Sequence, residues 1–167
     1  ARALRDEARE RGAAAISAKP GDIVFTSGAT ESSALAVRGA LGANSARREL
    51  VVTSVEHPCV LELAKSLESR GTPVRTVRVD RNGQPDLDAL RAAVTPQTAL
   101  VCAMLANNET GVLLPIAEIA AIARTAGAAL FCDAAQAAGK VPIDVRTLGA
   151  DLIAFSSAKV GGPRGSG

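Results

Sequence analysis

Tryptophan and tyrosine are absent from this 167-residue sequence, and phenylalanine occurs only three times. The core must therefore be assembled from alanine, valine, leucine and isoleucine, small side chains that suit helices packed closely on a sheet. With 47% hydrophobic residues the chain has ample material for such a core, which excludes a disordered segment. A strong field of either sign is also missing. The 19 basic and 17 acidic residues leave a net charge of +2, which offers no basic surface for nucleic acid. No stretch approaches the roughly 18 consecutive apolar residues of a membrane helix, so no membrane partner is expected. The charged opening ARALRDEARERG lacks both the apolar centre and the small-residue cleavage site of a signal peptide. Cysteine is sparse: Cys59, Cys102 and Cys132 are odd in number, widely spaced and without a C-x-x-C pair. That pattern argues against a disulfide framework and against a metal site, and makes a soluble protein of the cytoplasm the expectation.

What is present is a regular alternation. Short apolar runs bounded by polar or turn residues predict strands at 23–26, 50–54, 74–78, 99–105, 129–132 and 152–155. Segments of helical period predict helices at 2–11, 31–41, 58–69, 87–93 and 116–126, with a short one near 134–138. Strands alternating with helices imply an α/β fold, a largely parallel sheet with helices on both faces, in one domain spanning residues 1–167. The surface turn RNGQPD supplies Asp86 as an N-cap for the next helix.

In open α/β sheets a ligand lies beyond the carboxyl ends of the strands, so the residues directly after each strand carry the functional argument. In SGATE, a glycine turn followed by Thr30 and Glu31 at a helix start would aim free backbone N–H groups at an anion; an ordinary helix cap has the same composition. Asp133 follows the apolar run ALFC and would need a positive partner, either a nearby arginine or a protonated ring nitrogen of a cofactor. Gln136 would face the same side if a helical turn begins at Asp133. His57, the sole histidine, stands before Pro58 where the chain must turn. A nucleophilic pair of His57 with Cys59 is discounted, because residues two apart are expected to face different ways. Lys159 follows a strand and precedes VGGPRG, and loss of solvent there would turn its amine into a nucleophile.

An anion cradle, a buried aspartate, a histidine and a reactive lysine together meet the needs of pyridoxal 5'-phosphate. The strings TSGATES, VEHPCVLE, ANNETGV, CDAAQAAGKVPIDV and FSSAKVGGPRGSG resemble, in this order, the cysteine desulfurases of the class V aminotransferase family. The resemblance implies the large domain of a PLP-dependent transferase of fold type I. Lys159 would then hold the cofactor covalently and shuttle protons at the substrate Cα. His57 would stack on the ring and assist proton transfer, and Asp133 would keep the ring nitrogen protonated. Gln136 and Asn108 would contact the ring oxygen and the substrate side. Ala29, Thr30 and Ser156 would hold the phosphate. L-cysteine would be the substrate, alanine the product, and a persulfide the sulfur carrier toward an acceptor or iron–sulfur scaffold protein, in a homodimer.

Two departures from the family pattern stand out. Ala158 replaces a histidine that usually donates to the phosphate, a loss of about 1.5–3 kcal/mol for a hydrogen bond to a charged group. The family's cysteine loop has no counterpart in the sequence, and none of the three cysteines matches it. The expectation is accordingly a fragment, incomplete at both ends and inactive as a desulfurase by itself. Its last residues, GPRGSG, would lead into a further strand and leave a sheet edge unpaired. The competing readings are another class V enzyme, such as a selenocysteine lyase or transaminase, and a non-catalytic module that binds a phosphorylated ligand.

Overall fold

Side chains alternate between the two faces of a strand, so a strand covered on both sides must be apolar nearly throughout. The run Thr98–Met104 meets that condition, with all seven residues buried. The computed structural model describes residues 2–44, 46–163 and 165–167 and places this run at the centre of a five-stranded sheet. In chain order the elements are α1 (Arg2–Ala15), α2 (Ala29–Ala43), β1 (Glu49–Thr53), α3 (Pro58–Glu68), β2 (Val74–Val77), α4 (Leu87–Ala93), β3 (Thr98–Met104), α5 (Ile116–Thr125), β4 (Ala129–Asp133), α6 (Val145–Leu148) and β5 (Leu152–Ala154). The strands lie in the order β2-β1-β3-β4-β5, and every ladder between them is parallel.

The period of two sorts the core into two layers. Leu50, Val52, Leu100, Cys102 and Phe131 face Val37 of α2 with Val60 and Leu63 of α3. The intervening residues Val51, Val101, Ala103, Leu130 and Cys132 face Leu90 of α4 with Ile116, Ile119 and Ala123 of α5. Each fully buried Val, Leu, Ile or Phe contributes about 1.5–3 kcal/mol relative to exposure. No helix among the described residues is long and apolar enough to cross a membrane.

Local capping follows from composition. Asp86 accepts from the N–H groups of Asp88 and Ala89, each at 3.0 Å, as the turn sequence implies. The four-residue α6, which is too short to show an apolar stripe, starts at Asp144 and stops at Gly149 with φ 75°.

Two expectations change. Residues 23–26 form no strand: Val24 and Phe25 are 65% and 44% exposed, and the segment has no neighbouring strand to pair with. Residues 134–138 form consecutive turns instead of a helix, closed by Ala137 N and Ala138 N donating to Ala134 O. Near this segment, Gly167 and Thr26 exchange both backbone hydrogen bonds, at 2.8 and 2.9 Å.

The strand order has a functional consequence. From β1 the chain steps outward to β2, then crosses back to β3 on the other side, so the connections diverge between β1 and β3. Their carboxyl ends flank the crevice where such sheets bind ligands.

Candidate functional site

At that crevice lies a cavity of about 290 Å³. Ala29, Thr30, His57, Asn108, Asp133, Gln136, Ser156 and Lys159 all line it, although 130 positions separate the first from the last in sequence. Strand register brings them level: Met104 pairs with Asp133, and Asp133 with Ala154, two residues before Ser156.

One wall is the start of α2. Gly28 occupies the N-cap with φ 154°, a conformation that favours glycine, and supplies no side-chain cap. The N–H groups of Ala29, Thr30 and Glu31 therefore lack intrahelical partners and carry the positive end of a 15-residue helix dipole. A Cβ built on Gly28 would meet nothing within 4 Å, and Gly28 to Glu31 all line the cavity. The loop is held from behind, where Thr26 Oγ1 lies 2.6 Å from Ser32 Oγ and donates to Gly28 O at 3.1 Å. Glu31 accepts from the side chain and backbone N–H of Ser27, at 2.6 and 2.7 Å, which holds its carboxyl below the usual range.

His57 caps α3. Its Nδ1 accepts from Cys59 N at 3.2 Å, which assigns the ring proton to Nε2 in the neutral form. The same nitrogen lies 3.1 Å from Cys59 Sγ, so the two side chains do face each other, contrary to the sequence argument. The N-cap conformation of His57, with ψ 143°, folds its ring forward over the first turn of α3. Chemistry still opposes a nucleophilic pair, because burial and the nearby Asp133 carboxylate push the Cys59 thiol up.

Asp133 ends β4 and is only 5% exposed. Burial raises its pKa, opposed first by the N–H of Ala135, which donates to Oδ1 at 2.9 Å, and then by His57. A desolvated carboxylate with a single N–H partner is suited to a cation in the cavity. The two asparagines after β3 divide their tasks. Asn107 Oδ1 accepts from the N–H groups of Glu109 and Thr110, making it a turn residue, whereas Asn108 lines the cavity. Gln136 Oε1 accepts from Lys140 Nζ at 2.9 Å. Lys159 ends a 3-10 turn, Ser157–Lys159, and its side chain is exposed, so the expected desolvation of its amine is not met.

Sequence reasoning missed Met104 and Ala106, which line the cavity beside Asn108, and it gave Glu56 no role. Met104 was detectable, since it is the last residue of β3 and the strand-end rule applies to it as well.

Comparison with known proteins gives a consistent picture. The profile of the family described as "Aminotransferase class-V" matches residues 1–167. A cysteine desulfurase of Nostoc sp. is 44% identical over 160 residues, which cover 96% of this chain and 40% of that protein. Among solved structures, a NifS-like protein superposes with a TM-score of 0.93 at 34% identity, over 96% of this chain and 45% of that one. SspA in complex with cysteine superposes with a TM-score of 0.92 at 36% identity, over 99% of this chain and 48% of that one. The chain thus spans less than half the length of these relatives.

Proposed function

The chain belongs to the class V aminotransferase family, and from that premise we propose that it is part of the large, cofactor-holding domain of a pyridoxal 5'-phosphate-dependent cysteine desulfurase. The observation that carries the proposal is the convergence of an amide cradle, a buried carboxylate, an imidazole and an amine on one cavity. This donor set fits the cofactor: free N–H groups at the start of α2 for a phosphate, and Asp133 for a ring-nitrogen cation. When bound, the cofactor supplies an electron sink for negative charge developing at a substrate carbon.

The chain's own residues do the rest. Ala29, Thr30 and Ser156 bind the phosphate. Asp133 would balance the charge of a protonated ring nitrogen, and His57 would stack on the ring and assist proton transfer. Gln136 and Asn108 orient ring and substrate, and Lys159 holds the cofactor covalently and moves the proton at the substrate Cα. L-cysteine as substrate is supported by the relatives' names and by the cysteine bound in SspA. Its sulfur would pass to a protein thiol as a persulfide, leaving alanine. Cys102 and Cys132 are buried, which pushes both thiols well above the ordinary range, and neither is assigned as the acceptor. A homodimer, an iron–sulfur scaffold or other sulfur acceptor and a cytoplasmic setting complete the proposal.

Borohydride reduction in the presence of pyridoxal 5'-phosphate, followed by peptide mass mapping, tests it. The label is expected on Lys159 and absent from Lys159→Ala. A label on another lysine, or none, overturns the assignment.

A further inference from the structure

Below His57 lies a second carboxyl for which the roles above have no use. Glu56 is 3% exposed. Its Oε1 accepts from Thr53 Oγ1 at 2.6 Å and from Met104 N at 2.8 Å. One side chain thus joins the end of β1 to the end of β3, the two strands that flank the crevice. Oε2 is fully buried and has no hydrogen-bond partner among the described residues. No ion pair reaches Glu56 among those residues either.

Such surroundings penalise a charge. An ionised carboxylate needs donors for both oxygens and a partner for its charge, whereas a carboxylic acid leaves at most one O–H without an acceptor, a smaller penalty than an uncompensated buried charge. Among the described residues, the titratable groups facing Glu56 are the Cys102 thiol from β3 and, from β4, the Cys132 thiol and the Asp133 carboxylate. None of them is cationic, and two neighbouring carboxylates in a poorly solvated site do not both ionise readily.

We propose that Glu56 is a positioning residue held as a neutral carboxylic acid, which ties β1 to β3 beneath the cavity and leaves Asp133 as the one buried anion, among the described residues, that faces the ligand. Burial, with a further contribution from Asp133, pushes Glu56 up to about 7 despite its two hydrogen bonds. The tie also sets where His57, the next residue, stands relative to Met104 on the opposite wall. Only the naming of Asp133 as the ligand's counter-charge rests on the proposed function; the protonation of Glu56 does not.

Infrared spectroscopy on the full chain without cofactor tests the protonation directly. Between about pH 5.5 and 6.5, ordinary carboxyls are mostly ionised and Glu56 is mostly protonated. A carboxylic-acid carbonyl band is expected in that window in wild type and in Asp133→Asn, and is expected to disappear in Glu56→Gln. No band in wild type, or a band unchanged in Glu56→Gln, overturns the proposal. If Glu56→Gln fails to fold, the Asp133→Asn spectrum decides, since a band there cannot come from Asp133. With cofactor added, Glu56→Gln should retain affinity close to wild type, while Asp133→Asn loses at least about tenfold, or 1.4 kcal/mol. An equal loss in both would make Glu56 a working anion and sink the division of roles, whatever the infrared result.

Discussion

Two helices begin at the same cavity and end their backbones in opposite ways. At α2 the cap is Gly28, which offers no side chain, and the first amides stay open. At α3 the cap is His57, which turns its Nδ1 onto the N–H of Cys59, while Pro58 removes one donor outright. The helix start that is to receive a ligand is left unsatisfied, and the one that is to hold a side chain still satisfies itself. Orphan amides at α2 are a standing demand for an anion. At α3 the same demand is met internally, and the return is a histidine whose Nδ1 is held at the cap and whose Nε2 has no hydrogen-bond partner among the described residues.

Four measurements would sharpen or break this contrast, beginning with the anchor of α3. Glu56 has a folded-state pKa of about 7 against 4.5 for the free group, so between these values the folded state keeps a proton that the unfolded chain has released. Stability must then fall as pH rises from 4.5 to about 7, by up to about 3 kcal/mol. Chemical denaturation across that window should show the decline in wild type and largely lose it in Glu56→Gln. A flat wild-type profile would contradict the burial described here.

At α2, Gly28→Val forces a β-branched residue to φ 154° and places a side chain over the open amides. Strain of about 1–3 kcal/mol is expected in thermal unfolding, together with loss of pyridoxal phosphate binding in equilibrium dialysis. If binding survives, the α2 cradle is not where the phosphate sits. At α3, His57→Ala should cost about 1 kcal/mol through the lost cap. His57→Asn should recover most of that stability without recovering the ring's contribution to cofactor affinity, which separates capping from stacking. The smallest effect on cofactor binding concerns α4, none of whose residues lines the cavity. Asp86→Ala removes a cap of ordinary kind and should cost about 0.5–2 kcal/mol in stability while leaving cofactor affinity unchanged.

Much of this architecture could be read from the chain. The five strands fall within a residue or two of their apolar runs, and Asp86 caps its helix as the turn RNGQPD implies. The eight candidate site residues were found because all of them follow a strand or open a helix, and they share one cavity. The failures have physical reasons. Residues 23–26 have a strand's composition, yet a strand needs a neighbouring strand to bond with, and among the described residues only Thr26 pairs its backbone across to another segment in both directions, at Gly167. The contact of His57 with Cys59 escaped a rule for residues within one helix, because His57 stands at the cap, where the backbone is not helical. Lys159 was expected to lose solvent after a buried strand, but a 3-10 turn carries it outward.

The order of residues by itself determined which segments become strands and helices and which polar groups stand at their ends, since periodicity and capping are local properties. Only the tertiary structure decided that β1 and β3 lie side by side, that Met104, Asp133 and Ala154 share one level, and that Glu56 is closed off from water. Strand pairing joins residues far apart in sequence, and the cost of ionising a carboxyl depends on everything that surrounds it, which its neighbours along the chain do not specify.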